Sequence, residues 1–376
     1  MMPTLMMVGL GDLAGLTLNL LAQDVPIARL VLAGRDVEEL ARRRNLALLT
    51  AVQLGHHPDI VVRRLDLDDV DGTAEAIAAE RPDVVFSTAT RQSWRVITQL
   101  PPGLFRAVDR AQFGPWLPMH LAPAHKLMRA VRAAGSDARV VNAAFPDAVG
   151  PVLATADLAP HTGIGNVANL VPALRGAVAL LLDVPLRAVR VSLFTQHYLS
   201  HRVPVTGDSG GAPFHLRAWA DGRDVTGRFD PEEAFALVRD RFQRTGGAFR
   251  QLITAASAVA VLRPMLSGGT AQAHAPAPGG LPGGYAVRIA DGRVSVELPN
   301  GLTPAEAVAV NTACQRLDGI ESIAADGTVT FAAPEMAVMK EVLGYDCPVL
   351  PLADADAAAD ELGARYQSLI SKVAQW

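Results

Sequence analysis

Cysteine is nearly absent from this chain, which has only Cys314 and Cys347 in 376 residues. Two cysteines form neither a disulfide framework nor the thiol cluster of a structural zinc site. The histidines also have no cysteine or paired acidic residue at ligand spacing, so we expect no metal centre.

Long hydrophobic runs and an excess of basic charge are missing too. No apolar stretch reaches the ~18 residues that a membrane span needs, and the chain begins with strand-like residues instead of a basic signal segment. The net charge is −4, and no basic run is interleaved with aromatic residues, which argues against a nucleic-acid-binding surface. We therefore expect a cytoplasmic protein that binds neither membranes nor nucleic acids.

Hydrophobic residues make up half of the chain, enough for more than one core at this length. Residues 1–150 alternate apolar runs, at 30–33, 60–65, 84–87 and 140–144, with helical patterns. This alternation predicts a Rossmann-type, doubly wound parallel sheet. Residues 151–376 predict a second domain of mixed α/β structure that would hold the substrate.

The second half of the chain contains clear local signals. Residues 231–261 form a helical pattern, and residues 264–284, rich in glycine, proline and alanine, predict a flexible loop. Hairpins are expected at Asp291-Gly292 and Asp326-Gly327. Thr303 and Glu306 form a capping box at the start of a helix, and a last helix is expected from about residue 354 to 373.

A glycine-rich turn near the N-terminus is the most informative motif. Residues 5–16 read LMMVGLGDLAGL, which predicts a strand, a tight turn and a helix. Glycines in such a turn let a pyrophosphate approach the backbone, and the helix N-terminus supplies free N–H groups. The alternative is a glycine turn that serves only close packing of the strand and helix.

The end of the second strand distinguishes the two nicotinamide dinucleotides. NAD-binding proteins of this type place a carboxylate there, but this chain has Ala33-Gly34-Arg35. An arginine pairs well with a 2′-phosphate, which favours NADP over NAD, although Arg35 could instead stack on adenine or face solvent. Asp66 suits either the adenine amino group or the cap of the next helix. The predicted cofactor-binding residues are Gly9, Gly11, Asp12, Leu13, Gly34, Arg35, Asp66, Thr88 and Ala89.

The N-terminal third, with its glycine turn and the segments AGRD and LDLD, resembles the NADP-binding half of saccharopine-reductase-like proteins. The rest of the chain resembles the lactate/malate dehydrogenase superfamily. Residues 85–95 (VFSTATRQSWR) resemble its strand and arginine-bearing loop, and residues 140–147 (VVNAAFPD) its Asn-Pro-x-Asp strand. Residues 163–170 (GIGNVANL) resemble the start of its Asp- and Arg-bearing helix, and residues 194–204 (FTQHYLSHRVP) its catalytic-histidine loop. The resemblance implies a dimer or tetramer.

Three positions depart from that superfamily pattern. Phe145 stands where the family has its active-site asparagine, and Asn142 is the nearest amide. Asn169 stands where an aspartate orients the histidine, and Pro172 where an arginine grips the substrate carboxylate. These changes argue against a simple 2-hydroxy acid as substrate.

His197 is the predicted acid/base, since a histidine pKa near neutrality suits proton transfer in either direction. His201 competes for this role or contacts the substrate. Asn169 could orient a histidine but adds no charge, so we expect a weakly basic His197 that favours reduction of an activated carbonyl or imine. Arg91 and Arg95, after the fourth strand, are candidate substrate ligands.

These features predict an NAD(P)-dependent oxidoreductase that prefers NADP. Its substrate would be a small metabolite, with acidic compounds among the candidates, that is interconverted between carbonyl and hydroxyl or between imine and amine. The altered positions also allow a non-catalytic dinucleotide-binding regulator or scaffold.

Overall fold

A computed structural model of the chain describes residues 3–23 and 29–373. Its N-terminal half is a sheet of six parallel strands in the order β3-β2-β1-β4-β5-β6, which confirms the predicted doubly wound architecture. In chain order the elements are β1 (Thr4–Val8), α1 (Asp12–Ala22), β2 (Arg29–Gly34), α2 (Val37–Gln53), β3 (Asp59–Arg64), α3 (Val70–Glu80), β4 (Val84–Ser87), α4 (Trp94–Ile97), α5 (Pro102–Asp109), α6 (Leu117–Ala133), β5 (Arg139–Asn142), α7 (Pro146–Ala154) and β6 (Thr162–Gly163).

Apolar strands with helices on both faces explain this half. The last four residues of β1 are buried, and its side chains alternate between two hydrophobic cores, one on each face of the sheet. Because β6 belongs to the same sheet, the sheet extends past the predicted domain boundary at residue 150.

The second half adds three small sheets of three strands each. Its elements are α8 (Val167–Leu182), β7 (Val189–Phe194), α9 (His197–Thr206), β8 (His215–Ala220), β9 (Arg223–Asp224), α10 (Pro231–Arg241), α11 (Leu252–Ser267), β10 (Ala271–Pro276), β11 (Gly284–Ala290), β12 (Arg293–Val296), α12 (Pro304–Leu317), β13 (Ile320–Ile323), β14 (Val329–Phe331), α13 (Ala333–Leu343), β15 (Val349–Leu350) and α14 (Ala355–Val373). No helix in the described part of the chain is long and apolar enough to span a membrane.

Both predicted hairpins and the capping box of α12 are confirmed. Two other expectations are wrong. The helix expected over residues 231–261 is two helices, α10 and α11, because the intervening segment contains Gly246 and Gly247, the latter at φ +72°. The loop expected over residues 264–284 contains the end of α11 and strand β10, whose small residues pair with the more apolar β11.

The end of the chain returns to the N-terminal half. Ile320, Phe331 and Tyr366 belong to the same hydrophobic core as the Rossmann strands, and α14 packs on α6. The segment after α12 therefore lies against the first domain, where it can contribute to a site at the sheet edge.

Candidate active site

The glycine turn has the geometry that a dinucleotide needs. Gly9 has φ +78°, and a Cβ added there would lie 3.0 Å from the backbone of Ala89. Gly11 is the N-cap of α1, has no side-chain cap and would direct a Cβ into open space. The first N–H groups of α1 therefore have no side-chain cap. Gly11 lines a cavity of about 300 Å³, in which a phosphate could reach these groups.

The same cavity contains most of the predicted cofactor residues. It is lined by Gly9, Gly11, Gly34, Arg35, Asp66, Thr88 and Ala89. Asp69 caps α3, so Asp66 is not the cap of that helix. Oδ1 of Asp66 accepts a hydrogen bond from the N–H of Asp68 at 3.1 Å. The remaining predicted residues, Asp12 and Leu13, line the adjoining central cavity.

The central cavity, of about 560 Å³, shares Gly11, Thr88 and Thr90 with the first. It continues from the glycine turn to His197, the first residue of α9. Phe145 and Asn166 line it with φ angles of +42° and +50°. Non-glycine residues in this strained region are concentrated at functional sites.

His197 is paired with a buried carboxylate that the sequence patterns did not identify. The Nδ1 atom of His197 lies 3.0 Å from Oδ2 and 3.2 Å from Oδ1 of Asp318. The side chain of Asp318 is 2% exposed and that of His197 is 18% exposed. Gln196 donates a further hydrogen bond from Nε2 to Asp318, at 3.2 Å. Nε2 of His197 therefore remains available to exchange a proton.

Asp318 makes His197 more basic. Burial alone would lower the pKa of His197, but the charge of Asp318, its hydrogen bond and the charge of Asp147 together raise that pKa above its ordinary value. The expectation of a weakly basic histidine is wrong, because the carboxylate comes from Asp318 and not from position 169.

Backbone contacts hold Asp318 in place at the end of α12. The N–H of Gly114 donates to the Asp318 carbonyl oxygen at 2.6 Å. A Cβ at Gly114 would lie 2.6 Å from that same oxygen, so this approach requires glycine. The C-terminal segment thereby closes against the loop before α6 and places its carboxylate in the cavity.

The other histidines of the cavity stay neutral near pH 7. His201 stacks on His197 with ring centroids 5.8 Å apart, and burial, followed by the charge of His197, lowers the pKa of His201 to about 4. His120 also lines the cavity, and burial lowers its pKa to about 3. Among these three, His197 alone has a raised pKa.

The two predicted asparagines have different environments. Asn169 lines the cavity and donates from Nδ2 to Thr254 at 2.9 Å, while its Oδ1 is buried without a partner. No hydrogen bond joins Asn169 to His197, so Asn169 does not orient the imidazole.

Asn142 is buried, and both its amide atoms bind the backbone of Ala144. Asn142 does not line the central cavity, and its catalytic role stays a prediction.

Asp147 supplies a second buried carboxyl near His197. Asn166 donates a hydrogen bond to its Oδ2, and its Oδ1 has no partner. Burial raises the pKa of Asp147 to about 6, although His197 and Asn166 partly oppose this shift.

Aromatic rings form the wall beside His197. The Phe113 ring lies 4.4 Å from that of Phe145, 4.8 Å from that of His197 and 5.1 Å from that of Trp94. This wall limits the access of water to the imidazole and offers an apolar surface to a ligand.

Arg91, one of the two predicted substrate arginines, does not line the cavity at His197. Arg91 binds Asp68 at 2.9 Å and Asp356 at 3.4 Å and lines the cavity at the glycine turn. Its role as a substrate ligand stays a prediction. The side chain of Arg95 lies outside the described residues. His201, the remaining candidate ligand, does line the cavity.

Comparisons with known proteins show similarity of fold. No protein-family model and no curated protein matches the chain. The lactate dehydrogenase from Eimeria maxima with NADH and oxamate matches with a TM-score of 0.56 and 14% identity, over 84% of this chain and 92% of that chain. The malate dehydrogenase from Plasmodium falciparum matches with a TM-score of 0.55 and 13% identity, over 84% and 96%.

The malate dehydrogenase from Aeropyrum pernix gives a similar result, with a TM-score of 0.54 and 14% identity over 83% of this chain and 95% of that chain. The chain therefore has the fold of lactate and malate dehydrogenases at a sequence identity that speaks for the fold alone. The resemblance of the N-terminal third to saccharopine-reductase-like proteins stays a prediction.

Proposed function

We propose that this protein is an NAD(P)-dependent oxidoreductase that interconverts a carbonyl and a hydroxyl group, or an imine and an amine, with His197 as the acid/base. One observation carries the proposal: the His197–Asp318 pair lines a cavity that is continuous with a glycine turn shaped for a dinucleotide. The similarity of the fold to a lactate dehydrogenase and a malate dehydrogenase supports the proposal.

The cavity at the glycine turn, which we call the dinucleotide cavity, is lined by residues that fit a dinucleotide. The N-terminus of α1 and the Gly9–Gly11 turn would hold the pyrophosphate, and Asp66 the adenine side. Arg35 would bind a 2′-phosphate, which supports a preference for NADP. When bound, a reduced nicotinamide supplies the hydride, and so both electrons, to the substrate carbon.

His197 would supply the proton. In the direction of reduction, its imidazolium donates from Nε2 to the substrate oxygen or nitrogen as the C–H bond forms. Asp318 keeps the remaining proton on Nδ1 and stabilises the charged ring before transfer. Because the His197 side chain is 18% exposed, the ring can regain a proton from solvent. Oxidation reverses these steps.

The neighbouring groups would position the substrate. The unpaired Oδ1 of Asn169 can accept a hydrogen bond from a substrate hydroxyl or amide. Phe113 and Phe145 can pack on an apolar body. Position 172 is a proline inside α8, so a carboxylate next to the reacting carbon would find no arginine there. We also propose that the protein is a homodimer or homotetramer in the cytoplasm.

Binding and turnover together test this function. The protein is titrated with NADPH and with NADH by fluorescence, and the bound cofactor is then challenged with ketones, 2-oxo acids and imines. We expect saturable binding, tighter for NADPH, and oxidation of the cofactor by at least one carbonyl class. Absence of dinucleotide binding contradicts the proposal, and binding without turnover across the panel would favour a regulator or scaffold.

A further inference from the structure

A second cavity of about 480 Å³ extends the site beyond His197. It shares Trp94, Asn169, His197 and His201 with the central cavity. From there it runs to the segment between α10 and α11, where Gly246 and Gly247 leave its end open. The combined site is therefore longer than a substrate whose carboxylate is adjacent to its carbonyl requires.

The far end of this second cavity is positively charged. Arg244 and Arg250 line it, whereas neither lines the central cavity. Among the described residues of its lining there is no aspartate or glutamate, and its other titratable groups are His197 and His201. The cationic groups are thus not neutralised locally.

The two arginines line the same cavity, and the charge of Arg250 acts on Arg244. Neither side chain has an acceptor within the described parts of the chain. Both are exposed, but partial desolvation of Arg244, together with the charge of Arg250, lowers the pKa of Arg244. Like charges held together without a carboxylate are unfavourable unless an anion binds between them. The pair differs from Arg91 and Arg202, each of which has an aspartate partner.

We propose that Arg244 and Arg250 bind the anionic end of the substrate, a carboxylate or a phosphate that is separated from the reacting carbon by an apolar spacer. The inference rests on the proposed function. The reacting carbonyl lies at His197, the spacer lies along Trp94 and Phe105, and the anion lies between the guanidinium groups. The enzyme therefore acts on an anionic aryl or alkyl oxo compound and not on a short 2-oxo acid.

The test uses three ketones that differ only at the far end: acetophenone, 4-acetylbenzoate and 4-acetylphenyl phosphate. Each is titrated by calorimetry into the full chain, with and without saturating NADPH. The double variant Arg244→Gln/Arg250→Gln removes both charges. Arg241→Gln is the matched control, because Arg241 ends α10 and lines neither cavity.

We expect the wild type to bind at least one anionic probe about tenfold or more tightly than acetophenone, with the better of the two identifying the anion. The double variant should lose this preference and bind acetophenone as before, while Arg241→Gln keeps it. Since both arginines are exposed, added salt should also weaken the preference.

Other results overturn the inference. A wild type without preference, or a double variant that retains it, excludes an anion site at this pair. A double variant that loses NADPH affinity but keeps the preference assigns the pair to a cofactor phosphate. If the protein binds no dinucleotide yet prefers the anionic probes through this pair, the proposed function fails and the anion site stands.

Discussion

The two ends of the proposed active site are built in different ways. The dinucleotide end consists of short contiguous segments, each a glycine turn or a strand end within one sheet. The acid–base end joins His197 to Asp318, 121 residues later in the chain, and depends on the close approach at Gly114. The first end follows from local backbone requirements, whereas the second exists only after the C-terminal segment has packed on the first domain.

Replacing His197 should separate the two ends most clearly. For His197→Gln we expect turnover to fall about 10²–10⁴-fold, because the proton donor is lost. Dinucleotide affinity should hardly change, since His197 does not line the dinucleotide cavity. Steady-state rates and fluorescence titration measure the two effects.

The control is His125→Gln on α6, where the histidine lines neither the dinucleotide cavity nor the two cavities at His197. Normal turnover in the His197 variant would remove the acid–base assignment. An equal loss of dinucleotide binding would show that the two ends do not act separately.

Asp318→Asn tests the long-range partner with little change of shape. Without the carboxylate, burial dominates and the pKa of His197 falls. The imidazolium donates the proton, so reduction is fast below the His197 pKa and slow above it. We expect a loss of about tenfold in reduction at neutral pH, with the falling limb of the pH–rate profile moved to lower pH.

Asn169→Ser is the matched comparison for that experiment, since Asn169 contacts Thr254 and not His197. It should leave the position of the pH limb unchanged. If the pH limb moves in the Asn169 variant but not in the Asp318 variant, Asn169 and not Asp318 sets the pKa of His197, as the superfamily pattern suggests.

Arg35→Gln examines the dinucleotide end. We expect NADPH affinity to fall about tenfold, from loss of a charge-assisted contact with the 2′-phosphate, and NADH affinity to stay the same. Fluorescence titration of both dinucleotides measures this, with Arg44→Gln on α2 as the control. Equal weakening of both dinucleotides would contradict the role of Arg35 in recognising the phosphate.

Gly9→Ala should give the smallest effect on function. At φ +78° the backbone strain of the substitution costs about 1–3 kcal/mol in the free energy of unfolding. Gly55→Ala, at φ +84° with no atom nearby, should cost less, because only the backbone is strained there. Only Gly9→Ala should also weaken the dinucleotide, about severalfold, because its Cβ would press on Ala89. Equal dinucleotide affinity in the two variants would contradict the proposal that the Gly9–Gly11 turn holds the pyrophosphate.

The contrast between the two ends also explains what sequence patterns could predict. The doubly wound sheet and both hairpins follow from local periodicity and turn chemistry, and the structure gathers most of the predicted cofactor residues around one cavity. Asp318 had no such signal, because an aspartate at the end of a helix is usually a surface group, and its burial depends on tertiary packing. The same limit applies to Asn142, whose amide bonds the backbone of Ala144 within its own turn.

Direct titration of His197 tests the central claim most clearly. Imidazole signals of the nine histidines can be followed by NMR against pH, with His197→Gln identifying the resonance of interest. We predict a His197 pKa above the ordinary histidine value in the wild type and below that value in Asp318→Asn. The same His197 pKa in both proteins would contradict the pairing on which the acid–base site depends.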